Sequence, residues 1–120
     1  MDDRIQFGEH KGKQILLIDF SSATANQMQL LLEQVRITVA QHAHESLLTL
    51  ADFTDAEVDK AVATRLKEVL TLDRPFVKKT AWFGTEKIPH ALLEGFHLFS
   101  RRNIATFKTR EEAIEWLVAE

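Results

Sequence analysis

Two stretches constrain this chain more than any other: ILLIDFSSA at 15–23 and LLTLADFTDA at 47–56. Each is an almost unbroken apolar run that ends in Asp-Phe, then a hydroxyl residue, one more polar residue and Ala. Runs without polar alternation are what central strands covered on both faces require, so the pair predicts neighbouring strands inside a parallel sheet. The repeated ending has two readings. Asp19 and Asp52 could be paired carboxylates of a polar pocket, or Ser22, Thr24, Thr54 and Asp55 could cap helix N-termini while each Phe closes the core beneath.

The remaining elements fall into place around these two runs. Further strands are predicted at 5–7, 77–83 and 104–107, with the two central ones at 15–20 and 47–53. The short GEHKGK segment between the first two strands suggests an antiparallel hairpin. Between the later strands lie helical patterns long enough for crossovers. Met28, Leu32, Val35 and Val39 make one apolar stripe in 25–43. Val58, Val62, Leu66 and Val69 make the next in 57–71, and Ile88, Leu92, Phe96 and Phe99 a third in 88–100. A last helix opens at TREE, where Thr109 and Glu112 form a capping-box pattern, and it buries Ala113, Ile114, Leu117 and Val118. The predicted fold class is α/β, one domain over 1–120 in the order β-β-α-β-α-β-α-β-α, with a mostly parallel five-stranded sheet and an antiparallel leading strand.

Composition limits the function classes. Of 120 residues, 45% are hydrophobic and 28% charged, as in ordinary globular domains. A net charge of −3 gives nothing global to attract nucleic acid. The absence of cysteine excludes disulfides, thiolate metal sites and thiol nucleophiles. The opening MDDRIQFGEHKGK is too polar for a signal peptide and no apolar run reaches transmembrane length, so a cytoplasmic protein is expected. No Gly-rich phosphate loop, G-x-S-x-G elbow or H-E-x-x-H is present, and neither an enzyme nor a cofactor is expected.

Ligands of open parallel sheets bind beyond the carboxyl ends of the strands. Here that rim holds Asp19, Ser21 and Ser22, then Asp52, Thr54 and Asp55, then Gly84 and Thr85, then Lys108 and Thr109. His90, Glu94 and His97 line one helix face at i, i+4 and i+7, and would hold a divalent cation only if a partner completed the shell. His42 and His44 read as a solvated helix end. The basic groups Arg74, Lys78 and Lys79, and Arg101 and Arg102, read as a solvated rim. Leu30 and Ile37 lie on the wrong side of the first helix, and Leu93 and Leu98 flank the polar strip of the third; they are candidates for a self-association or partner surface.

Several segments together resemble the SpoIIAA-like family of small bacterial proteins, related in fold to STAS domains and described as STAS/Sec14-like. They are GKQILLIDFSS, LLTLADFT, RPFVKKTAWFG and RRNIATFKTREEAIEWL, covering about 10–118. The resemblance implies a STAS-like α/β domain that binds a protein partner and is non-enzymatic. STAS relatives carry a serine phosphoswitch at the segment that is DFTDAEVDK here, but this stretch has Thr54 in place of a serine pair. The Sec14 relationship implies the alternative, a small carrier of an apolar or lipid-like ligand, with Trp82, Leu92, Phe96 and Phe99 lining the site.

Overall fold

The computed structural model describes residues 4–100 and 104–119, excluding the side chains of 97–100. The elements are β1 (Ile5–His10), β2 (Lys13–Asp19), α1 (Ala25–Val39), β3 (Leu47–Asp52), α2 (Lys60–Asp73), β4 (Val77–Phe83), α3 (His90–Ser100), β5 (Ile104–Phe107) and α4 (Arg110–Val118). β1 and β2 form the expected hairpin, closed by Lys11 and Gly12, both at positive φ (51° and 78°) as a tight primed turn requires. The other pairings are parallel, and the sheet order is simply β1-β2-β3-β4-β5.

That order decides where the helices go. Right-handed crossovers that always step in the same direction leave their helices on one face. α1, α2 and α3 accordingly cover one face, burying Met28, Leu32, Val35, Val62, Leu66, Val69 and Phe96 against Leu16, Ile18, Ala51 and Trp82. α4 follows the last strand and folds onto the other face, where Ala113, Leu117 and Val118 meet Ile15, Leu48, Leu50 and Ala81. Both faces of β2 and β3 are therefore covered, which is why their sequences do not alternate.

Two helix starts and ends depart from the sequence pattern. α2 begins at Lys60, capped by Asp59, whose side chain accepts from Val62 N at 2.8 Å. Neither Thr54 nor Asp55 caps it: Asp55 sits at φ 58°, a left-handed conformation that belongs to the preceding turn. Ser22, at φ 55°, is likewise a turn residue, and α1 is capped by Thr24 in a capping box with Gln27. α1 stops at Val39, short of the histidines. His42 and His44 are not merely solvated, for their rings pack on Phe7 and Phe76, each at 5.1 Å between centroids. Lys79 is also more than a rim charge. Its ammonium donates to the carbonyls of Trp116 and Ala119 at 3.1 Å and lies 4.9 Å from the Trp116 ring, closing the C-terminus of α4.

Candidate functional site

The two Asp-Phe endings are the same turn built twice. Asp19 Oδ1 accepts from Ser21 N at 2.9 Å and from Ser21 Oγ at 2.5 Å. Asp52 Oδ1 accepts from Thr54 N at 2.9 Å and from Thr54 Oγ1 at 2.6 Å. In each copy the Ala nitrogen then donates to the Phe carbonyl, at 3.1 Å for Ala23 and 3.0 Å for Ala56. The acid and the hydroxyl thus replace backbone partners that a sharp exit from a strand leaves unmade. The copies also interlock, Ser22 N donating to Thr54 O at 2.8 Å and Glu57 N to Ala23 O at 2.9 Å.

The sheet brings the predicted rim together. Asp19 and Asp52 are register partners on adjacent strands, and both line a recess of about 230 Å³ on the α4 side. Arg4 and Arg110 line it too, and sequence reasoning did not assign them to the rim. Arg4 Nη1 donates to the carbonyls of Asp19 and Ser21 at 3.0 and 2.9 Å, so it fastens the corner. Gly84 fits under the second corner at φ 70°, and Lys87 reaches Asp55 at 2.6 Å on the exposed surface. Thr85 is buried, and its carbonyl accepts from Ile88 N at 3.0 Å. The rim is a bonded framework in which the Ser21 and Thr54 hydroxyls and the carboxylates of Asp19, Asp52 and Asp55 already have partners.

What the corners position is aromatic. Phe20 and Phe53 follow the two aspartates into the core with centroids 5.0 Å apart. Phe53 stacks edgewise on Trp82 at 4.8 Å, and Trp82 on Phe96 at 5.7 Å. Beneath Phe20, Phe53 and Trp82 lies a cavity of about 60 Å³, partly open to the surface, between the sheet and α1 and α2. Leu32 and Val35 of α1, and Leu66 and Val69 of α2, form its walls. It is predominantly apolar. Its polar members are Thr49 and Thr80, whose hydroxyls bond each other at 2.9 Å, with Asp73 and Arg74 at the C-terminal end of α2.

Asp73 is only 8% exposed, and burial pushes its carboxyl from 3.8 up to about 7 against the opposing fields of Arg36 and Arg65. It was absent from the predicted site, yet the sequence carried a signal for it. Val62, Leu66, Val69 and Asp73 run at helical spacing, so the acid continues the buried stripe of α2. Thr49 is similarly the one polar residue among Leu47–Asp52 before the terminal Asp.

The other predicted residues are placed as follows. Leu30 and Ile37 are 68% and 49% exposed on α1. Leu93 is half-buried and packs against the core beside Leu92. Of the predicted apolar ligand set, Trp82 lines the cavity, whereas Leu92 and Phe96 belong to the core outside its lining. The side chains of His97, Leu98 and Phe99, and residues Arg101 and Arg102, lie outside the described residues. His90 Nε2 is 3.3 Å from Glu94 Oε2, and no group of three or more metal-ligating side chains occurs among the described residues. No described helix is long and apolar enough to cross a membrane.

No family model matches the chain, and no curated protein does. Among solved structures, it is similar to an uncharacterized protein of the DUF3478 family from Shewanella loihica PV-4, described as having a SpoIIAA-like fold. The TM-score is 0.72 at 14% identity, over 94% of this chain and 91% of that one. Similarity of that kind establishes architecture rather than activity. The chain has the SpoIIAA-like fold.

Proposed function

We propose that the chain is a non-enzymatic binding domain whose ligand is a small, largely apolar molecule held between the sheet and α1 and α2. The observation that carries this reading is the cavity of about 60 Å³ in the middle of the larger core. Close-packed cores leave few voids larger than a water molecule. Keeping one of this size costs about 1 kcal/mol by the usual scaling with cavity volume. An apolar recess with a few polar groups is also the usual form of a small-molecule site. The cavity is partly open, so a ligand need not fit inside it entirely.

The rim supports a domain without a phosphoswitch. Thr54 Oγ1 is committed to Asp52 at 2.6 Å, and a phosphate there would break the corner beside two carboxylates. Ala51→Leu tests the cavity reading, because Ala51 lines the space and the larger side chain fills it. The variant is expected to weaken binding of the fluorescent apolar probe N-phenyl-1-naphthylamine at least about tenfold, with an unchanged or higher melting temperature. Undiminished probe binding would contradict the assignment.

A second reading, a protein-binding module, rests on Leu30 and Ile37, exposed two helical turns apart on α1. Replacing both by Glu should shift an oligomeric wild type toward monomer in sedimentation. An unchanged oligomer would remove this surface from consideration.

A further inference from the structure

Two polar groups on the cavity lining are left with unmet hydrogen-bonding capacity. Asp73, the last residue of α2, is 8% exposed, and its carboxyl makes no hydrogen bond or ion pair to a described residue. Neither of its carboxyl oxygens is completely enclosed, so a small molecule in the cavity can reach the group. A carboxyl so placed weakens the fold through desolvation and through its missing partner. The second group is the threonine pair. Thr49 Oγ1 donates to Thr80 Oγ1 at 2.9 Å, and the Thr80 hydroxyl proton has no described acceptor. The pair lies on β3 and β4, and Thr49 is buried. Arg74, the other polar residue of the lining, has interactions of its own. The cavity therefore offers one carboxyl in want of a partner and one hydroxyl proton in want of an acceptor, within walls that are otherwise apolar.

We propose that the cavity takes a small alcohol, its hydroxyl shared between Asp73 and Thr80 and its hydrocarbon body set among Leu32, Val35, Leu66 and Val69. This deepens the apolar-ligand reading and rests on it. A hydroxyl carries one donor and two acceptor lone pairs on a single atom. It donates to Asp73 when the acid is ionised and accepts from it when the acid is protonated, and in both cases it can still accept from Thr80. The match thus holds in either charge state of Asp73. Other head groups meet only part of the lining. An ammonium only donates, leaves the Thr80 proton unmet and is costly to strip of water. A carboxylate only accepts, and it meets an ionised Asp73 with like charge. An ether oxygen only accepts, and it leaves an ionised Asp73 without a donor. A water molecule could bond to the same groups, but it would leave the apolar walls without a partner. The volume of about 60 Å³ is well below the roughly 150 Å³ of an apolar cavity that holds benzene, so the body is a short chain with its end at the opening.

The test is a methyl-resolved NMR titration of the wild-type protein at pH 8 with 1-hexanol, with its isomer 1-methoxypentane and with hexylamine. 1-Hexanol should shift the methyls of Leu32, Val35, Leu66 and Val69 saturably, and it should bind about tenfold more tightly than the ether, which has the same size and no donor. Hexylamine should bind more weakly than the alcohol. Asp73→Leu removes the acceptor, so the alcohol should lose its advantage over the ether. Asp73→Asn gives the ether an N–H to accept from, so there the gap should narrow because the ether gains. If the ether or the amine binds wild-type protein as tightly as the alcohol, or if the alcohol keeps its full advantage in a folded Asp73 variant, the alcohol assignment is overturned while the apolar cavity stands. If none of the three moves the cavity methyls, both readings fall. The comparison of ligands on wild-type protein decides the matter even where a variant does not fold.

Discussion

Asp73→Asn should make the folded chain more stable at neutral and alkaline pH, the reverse of what most buried substitutions do. The carboxyl is raised from 3.8 to about 7 because burial outweighs the attraction of Arg36 and Arg65. Well below 3.8 the group is protonated in both folded and unfolded chains, and its ionisation has no effect on stability. As pH rises toward 7, the unfolded chain releases the proton while the folded chain holds it, so stability falls until the folded carboxyl ionises as well. The amide has no such dependence. Measured by urea unfolding, the advantage of the variant should therefore grow by roughly 2–3 kcal/mol between pH 5 and pH 8. Parallel pH profiles for the two proteins would show that Asp73 is not a desolvated acid. Such a stabilising substitution is the mark of a residue retained for a ligand rather than for the fold.

Gly84→Ala carries the largest expected loss. Gly84 follows β4 at φ 70°, where an L residue is already strained. A Cβ there would lie 2.7 Å from Thr54 N and 3.0 Å from Asp52 Oδ1, and would strike Thr54 Oγ1 as well. Those atoms are the second corner itself, fixed by its own hydrogen bonds, and cannot give way as a flexible side chain would. A loss of about 3 kcal/mol or more is expected, read as a lower urea midpoint with an unchanged slope. Because the corner also sets Phe53 over the cavity, the variant should lose apolar-probe binding before it unfolds. A variant as stable as the parent would mean that the corner tolerates displacement.

Much of this architecture was legible in the sequence because it follows from periodicity. The unalternating runs at Ile15–Ile18 and Leu47–Ala51 mark doubly covered strands, and the stripes of Met28, Leu32 and Val35, or Val62, Leu66 and Val69, mark buried helix faces. The rim was legible too, since Asp19 and Asp52 had to end adjacent strands. What the sequence left open was the use of those residues. Asp-Phe-Ser and Asp-Phe-Thr have the composition of a pocket, and only the geometry shows both side chains turned back on their own backbone. The start of α2 was misplaced for a related reason: Val58 continues the apolar stripe although the helix begins only at Lys60, after the extended N-cap Asp59. The cavity was invisible because it depends on how α1 and α2 are spaced above the sheet. Its one clue was an acid in an apolar stripe.

The most direct test is a methyl-resolved NMR titration of the wild-type protein with N-phenyl-1-naphthylamine. If the cavity is the binding site, the methyls of Leu32, Val35, Leu66 and Val69 should shift saturably, while Leu117 and Val118 on the opposite face of the sheet remain still. Unmoved cavity methyls, or shifts confined to the exposed Leu30 and Ile37, would contradict it.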